Sequence, residues 1–345
     1  MANGMHATHV IDVQLKAKLG IIGYKNQAAR LISLCDKIQN CTIEFIYHPT
    51  KLLKEKKFTN DFSKLQGCDA IIIATPNHTH FDYIEKLLDN FDGYIFCEKP
   101  PVTSLDDIDS LDRLPLTTKE KIFFNFNYRF SKLNEIIKTH IKSTAIGNVV
   151  SIHFTMTHGL AFKQEYISSW RSDGTKNLHN ILDTLSIHYL DLANFHFGKP
   201  SSLSYFPSLM SKNGSSYDTS NLLIQYDDGK TVSILNSYAS PLINETLIIG
   251  TNGVIMIRNN QIVIRSPRDT FNEKQFFITP PIVSSQDYDT ENEYAKSLEN
   301  SLLYFISSTV NKLPMDIQQF NTSLETNRLI LHLHNQHREF GIIIK

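Results

Sequence analysis

"DAIIIATPNHTHFDYIEKLLDNFDGYIFCEKP" fills residues 69–100, and the two apolar runs in it decide the fold. "DAIIIAT" (69–75) is β-branched almost throughout and stops at Pro76-Asn77. "FDYIEKLLDNF" (81–91) then spaces its apolar residues as a helix does, and "YIFC" (94–97) returns to a continuous apolar run. Strands that are apolar on both faces, separated by a helix, belong to a parallel sheet covered on both sides. The second run ends in Glu98-Lys99-Pro100. An ammonium at the end of an interior strand is costly to bury unless it faces a cleft. In an open parallel sheet the clefts lie at the carboxyl ends of the strands. Lys99 is therefore a candidate site residue.

The same pattern extends outward. "KLGIIGY" (18–24), "TIEFIY" (42–47) and "KIFFNFN" (121–127) read as further strands, and "NQAARLISLCDKIQ" (26–39) as a helix. Alternation of this kind predicts a doubly wound α/β domain over residues 17–127. After about residue 150 the runs alternate apolar with polar residues, as in "VVSIHFTMTH" (149–158), "NLLIQYDDG" (221–229), "KTVSILNSYA" (230–239) and "ETLIIGTNGVIMIRNNQIVIRS" (245–266). Turns at Asp228-Gly229, Asn252-Gly253 and Asn259-Asn260 separate them, which predicts antiparallel hairpins with one face exposed. Helical stretches near 176–197 and 286–340 flank this sheet. The second domain, 128–345, is thus expected to be α+β with a mostly antiparallel sheet, its last helix returning towards the first domain.

At 345 residues, two domains fit better than one core. Hydrophobic residues make up 41% and charged residues 20%, with a net charge of -1 and no basic block. That is globular composition, and it points away from nucleic acid and membrane surfaces. The longest apolar runs are strand-length, and "MANGMHATHVIDVQLKAK" has no continuous apolar core of the signal-peptide kind. Residues 1–16 are expected to be a disordered leader and the protein cytoplasmic. Cys35, Cys41, Cys68 and Cys97 form no CxxC pair and are expected as buried free thiols. His332, His334 and His337 lack a cysteine or carboxylate cluster beside them, so no metal is expected.

At the first strand–helix turn stands Gly23-Tyr24-Lys25-Asn26-Gln27-Ala28. A dinucleotide fingerprint wants Gly-x-Gly-x-x-Gly/Ala there, and its middle glycine is Lys25 in this chain. At the end of the second strand His48 takes the place of the acidic residue that would hold an adenosine ribose, with Thr50, Lys51 and Lys54 behind it. The polar loop Thr75-Pro76-Asn77-His78-Thr79-His80 follows the third apolar run, where it can lie along a bound cofactor.

"GIIGY", "IIIATPNHTHFDYIEKLL", "IFCEKP", "FNFNYRF", "IGNVVSIHF" and "SWR" occur in the order and spacing of one family. The sequence resembles the Gfo/Idh/MocA family of nicotinamide-dependent oxidoreductases, from about residue 17 to about 340. The resemblance implies NAD or NADP as cofactor and a sugar, sugar nucleotide or cyclitol as substrate. It gives Lys99 a catalytic position between nicotinamide ribose and substrate. It implies cofactor contacts from Gly23, Tyr24, Lys25, Asn26, His48, Thr75, Pro76, Asn77, His80, Glu98 and Asn127. Arg129, Trp170, Arg171 and Asp191 would shape the substrate pocket, and the antiparallel sheet would carry a homo-oligomer contact.

The family's remaining catalytic pair is usually Asp-x-x-x-His. Here the segment reads "NLHNILDTLSIHYLDL" (177–192), which places Thr184 where the aspartate is expected, four before His188. On a regular helix Thr184, His188 and Asp191 share a face. Asp183 and His188 lie about 140° apart, five steps of roughly 100°. A regular helix therefore leaves His188 as base, beside the hydroxyl of Thr184 and without a carboxylate. Lys25, His48 and Thr184 all depart from the family pattern. They support two alternatives: a non-catalytic ligand-binding or regulatory protein, or a glycosidase that uses the dinucleotide.

Overall fold

The computed structural model describes residues 16–51, 57–141, 143–177 and 180–336. All but the last residue of the expected leader, and Lys54 and His337, lie outside them.

The first half builds a six-stranded sheet from β1 (Ala17–Ile22), β2 (Cys41–Tyr47), β3 (Phe58–Thr59), β4 (Ala70–Ile73), β5 (Tyr94–Glu98) and β6 (Ile122–Asn125). Its order is β3-β2-β1-β4-β5-β6, and every pairing is parallel. This is the doubly wound fold, in which strand order reverses between β1 and β4 and opens a crevice at their carboxyl ends. All four residues of β4 are buried, as a strand covered on both faces requires. Helix α1 (Asn26–Cys35) follows β1, and α2 (His80–Leu88) follows β4. The two-residue β3 is too short to leave a periodic pattern in the sequence.

The second half builds an eight-stranded sheet from β7 (Val149–Thr157), β8 (Ser202–Ser208), β9 (Thr219–Gln225), β10 (Thr231–Ser237), β11 (Ile243–Gly250), β12 (Val254–Arg258), β13 (Gln261–Arg265) and β14 (Ile282–Asp287). The order is β14-β13-β12-β11-β7-β10-β9-β8. Pairing is antiparallel except between β7 and β10, which run parallel. Asn259 and Asn260 both take positive φ, +52° and +57°, as a two-residue hairpin turn demands.

Three helices join the halves: α3 (Ile187–Phe197), α4 (Glu293–Val310) and α5 (Ile317–Gln336). The helix expected over 286–340 is two helices preceded by a strand, interrupted around Pro314, which cannot continue a helix. Phe305 of α4 meets Phe96 and Phe123 of the first sheet at ring distances of 5.3 and 6.1 Å. Phe320 of α5 meets Phe124 at 5.3 Å, and Asn327 Oδ1 accepts the Val102 amide at 2.9 Å. Both helices thus pack back on the first sheet, and one apolar cluster runs from Ile73 and Phe124 through Leu190 to Phe154 and Ile234. That packing sets the carboxyl end of β5 against the start of α3.

Candidate active site

The crevice beside β1 has the features a dinucleotide needs. Gly23 sits at φ +107°, and a Cβ there would fall 2.4 Å from the Ala74 carbonyl oxygen, so only glycine fits. Lys25 caps α1 without a side-chain hydrogen bond, leaving first-turn amides free for an anion. Lys25 and Asn26 are exposed beside them. The Tyr24 ring meets His48 and Phe58 edge-on at 6.4 and 5.4 Å. His48 Nδ1 accepts the amides of Thr50 and Lys51 at 3.2 and 3.0 Å. Burial, then the charges of Lys51 and Lys25, lower its proton affinity. These residues fit a pyrophosphate-bearing cofactor.

Of the loop after β4, Pro76 is exposed and Thr75 and Asn77 are half-buried, with Thr79 Oγ1 donating to Thr75 Oγ1 at 2.8 Å. His80 behaves otherwise. It is fully buried, Nδ1 lies 2.8 Å from the Pro100 carbonyl oxygen and Nε2 lies 3.1 Å from that of Thr75. Its ring clamps the loop to the turn after Lys99 instead of facing a cofactor, because both nitrogens are consumed by backbone. Asn127 is likewise occupied, its amide donating to Ser297 Oγ of α4 at 2.7 Å.

Glu98 is buried, and its Oε1 accepts from Gln27 and Asn125, both at 2.9 Å. Burial raises its proton affinity against those bonds and the neighbouring ammonium. Lys99 extends the other way. Its Nζ donates to the carbonyl oxygens of Asp183 and Thr184, both at 3.0 Å, crossing from one sheet's edge to the other half of the chain. Burial brings its pKa down to about 8, with Glu98 and Asp183 opposing that and Arg171 adding to it. An ammonium has three protons, so one remains for a ligand.

The segment that receives Lys99 is not a regular helix. Residues Leu182–Ser186 form a π-turn, and the Ile187 amide reaches back five residues to the Leu182 carbonyl oxygen. One residue more per turn gives Asp183 and His188 the relation that residues four apart have on an α-helix. The 140° separation expected from regular geometry therefore does not hold. Asp183, buried, holds up the proton affinity of Lys99, and Lys99 in turn depresses that of His188. His188 is stacked on Tyr128 at 4.6 Å, and burial drives its pKa well below the usual histidine value. Its Nδ1 has no hydrogen-bond partner among the described residues.

Thr184 faces elsewhere than expected. Its hydroxyl lies 3.2 Å from the Asn180 carbonyl oxygen, which accepts from it, and 2.6 Å from the Tyr238 hydroxyl. Tyr238, just past β10, stacks on His158 at 4.9 Å. Asp183 stands one residue from the expected position, and only the assumption of a regular helix turned it away, because the inserted residue of a π-turn leaves no periodic trace; nothing local marks Tyr238, which arrives from a different strand.

Arg129 and Asp191 do not line a pocket, contrary to expectation. Arg129 Nε and Nη2 donate to the two Asp191 oxygens at 2.8 and 2.6 Å, with side chains 2% and 0% exposed. Arg129 Nη1 also donates to the Gln319 carbonyl oxygen, and the guanidinium lies about 5 Å from the Phe126 and Phe195 ring centres. This fork, fully spent inside the protein, ties three segments together. Trp170 and Arg171 remain accessible, Trp170 being 42% exposed and Arg171 half-buried. No group of three metal-ligating side chains occurs among the described residues, and no described helix is long and apolar enough to cross a membrane.

Comparison with known proteins agrees with this architecture. Residues 18–126 match the model of an oxidoreductase family with an NAD-binding Rossmann fold, GFO/IDH/MocA, and residues 135–256 match a C-terminal domain of the same family. Among curated proteins, the glucose-6-phosphate 3-dehydrogenase of Bacillus subtilis is 26% identical over 52% of this chain and 53% of its own. The inositol 2-dehydrogenase of Rhizobium meliloti is 29% identical over 49% and 50%. The matches thus span about half the length of these relatives. A solved oxidoreductase from Agrobacterium radiobacter, in complex with NAD+, L-tartaric acid and magnesium, superposes with a TM-score of 0.74 at 19% identity, covering 95% of this chain and 98% of that one.

Proposed function

The chain belongs to the Gfo/Idh/MocA oxidoreductase family, and from that premise we propose that it is an NAD(P)-dependent dehydrogenase of a sugar or cyclitol. The relatives named for glucose 6-phosphate and inositol support that substrate class. The observation that carries the reading is Lys99 reaching from the end of β5 to the carbonyls of Asp183 and Thr184, beside His188. A bound nicotinamide would supply the hydride acceptor. The crevice around Gly23, Tyr24, Lys25, Asn26 and His48 would hold the dinucleotide. The substrate carbon then loses a hydride, its hydroxyl loses a proton, and a carbonyl remains.

Lys99 directs its third N–H at the substrate oxygen as a hydrogen bond, keeping its proton, and stabilises the negative charge that grows there. His188, held neutral by burial, accepts the hydroxyl proton. We assign Asp183 the place of the expected aspartate, brought there by the π-turn, where its carboxylate holds up the proton affinity of Lys99. Thr184 is a positioning residue that fixes Tyr238.

We place the protein in the cytoplasm and assign a homo-oligomer contact to the open face of the second sheet, where Leu223, Leu235 and Ile243 are 50%, 39% and 38% exposed. The test of function is turnover with a panel of sugars, sugar nucleotides and cyclitols, followed at the absorbance band of reduced nicotinamide. Dinucleotide binding with no turnover in any member would favour the ligand-binding alternative, and glycoside cleavage without net reduction would favour the glycosidase.

A further inference from the structure

Among the charged groups near the cleft, Arg171 stands apart. Arg129 and Arg328 spend their guanidinium groups on carboxylates. The Arg171 guanidinium has no hydrogen-bond or carboxylate partner among the described residues, and lies 4.9 Å from the centre of the Trp170 ring. Its backbone, by contrast, is firmly held. Ser169 Oγ accepts the Arg171 amide at 3.2 Å, and Asn177 Nδ2 donates to the Arg171 carbonyl oxygen at 2.9 Å. A pre-positioned, stacked, unpaired guanidinium presents a fork suited to two oxygens of one anion.

Its surroundings agree. Lys99 holds the Thr184 carbonyl, the Thr184 hydroxyl lies 2.6 Å from that of Tyr238, and the Tyr238 ring meets Tyr166 at 5.9 Å; the charge of Arg171 bears on Lys99, Tyr166 and Tyr238 alike. The carboxylates nearby are already engaged. Asp218 accepts the amides of Met210 and Ser211 and the Thr219 hydroxyl, and Asp173 pairs with Lys176 and Thr175. The Tyr166 hydroxyl, in a residue only 2% exposed, has no hydrogen-bond partner among the described residues. A buried donor left unsatisfied is costly, which marks this wall of the space as polar and short of acceptors.

We propose that the substrate carries an oxyanion, a phosphate or a carboxylate, and that Arg171 binds it while Lys99 addresses the reacting hydroxyl. This rests on the dehydrogenase reading above and narrows its substrate class. Trp170 is the chain's only tryptophan, so its emission reports directly on the Arg171 site.

The experiment titrates the full-length protein, with and without NAD+, with glucose, glucose 6-phosphate and glucuronate, reading Trp170 emission. At least one anionic sugar is expected to saturate the change at a concentration ten or more times lower than glucose does. Comparison of the phosphate with the carboxylate identifies which anion is preferred. Arg171→Met removes that difference and leaves NAD+ affinity by calorimetry unchanged, and Arg171→Lys restores part of it. Equal affinity for glucose and both anions, or an anion preference that survives in Arg171→Met, overturns the proposal. Turnover of neutral sugars or cyclitols as efficient as that of anionic ones overturns it while leaving the dehydrogenase reading intact. Failure to bind any dinucleotide, with Arg171-dependent anion binding retained, removes the dehydrogenase reading and leaves the anion site standing.

Discussion

The Lys99 ammonium nitrogen lies 3.0 Å from the carbonyl oxygen of Asp183, 84 residues further along the chain. The contact places a cation against two carbonyls, close enough to His188 for the charge to lower that residue's proton affinity. Lys99→Met keeps the bulk of the stem and deletes the charge. Hydride transfer is expected to fall by roughly a hundred- to ten-thousand-fold, the ordinary worth of a positioned acid–base group. The same variant is expected to be more stable at neutral pH, by about 1–3 kcal/mol, since a partly buried ammonium with a pKa near 8 is held against its preference. Steady-state kinetics and urea unfolding check both. Undiminished turnover would remove Lys99 from the mechanism.

The pH profile follows from the two shifts. The pKa of His188 lies well below its usual value, so the imidazole stays neutral and competent as a base well below neutrality. Lys99 loses its proton as pH rises through about 8. Alcohol oxidation is expected to hold on the acid side of neutrality and to decline above about 8. A rise through about 8 instead would make the free amine of Lys99 the base.

Asp183 and Thr184 separate by mutation. Asp183→Asn keeps the shape and removes the charge beside Lys99, so kcat is expected to fall by roughly a hundredfold or more with little change in KM. It also lowers the pKa of Lys99, since the carboxylate holds that value up, and moves the alkaline limb to lower pH. Thr184→Val breaks the contact with Tyr238 and is expected to raise KM more than it lowers kcat. The reverse ranking would return the catalytic position to Thr184.

Arg129 and Asp191 are expected to matter for stability and not for recognition. Arg129→Met leaves the buried Asp191 carboxylate without a cation and with only the Thr326 hydroxyl donating to it, at a cost of about 3–5 kcal/mol. Urea unfolding should show the loss, with KM for substrate moved less than twofold in the folded fraction. A stable variant with a sharply raised KM would reinstate Arg129 as a substrate contact.

Cofactor preference tests the proposed role of His48. Among the described residues the charges that bear on His48 are those of Lys51 and Lys25, both positive, and the Lys51 amide donates to its ring. NADP is expected to bind at least as well as NAD by calorimetry, and a strong preference for NAD would contradict that. Lys25→Gly is expected to loosen either dinucleotide, because a charge-assisted contact to phosphate is worth about 1.5–3 kcal/mol.

By itself the sequence determined what depends on local periodicity and backbone freedom. Apolar runs such as "AIII" specify strands covered on both faces, alternating runs specify a sheet with one open face, and Gly23 marks a turn that no side chain tolerates. Lys99 was legible because a charge ending an apolar strand needs a reason. Tertiary structure alone decided which side chains meet. Arg129 and Asp191 looked like pocket residues until α5 and the aromatic rings closed over them, because burial is a property of what packs above a residue. Asp183 looked misplaced until the π-turn added a residue to the helix, and helical angles computed from sequence assume a regularity that only long-range contacts, here the grip of Lys99 on two carbonyls, reveal to be broken.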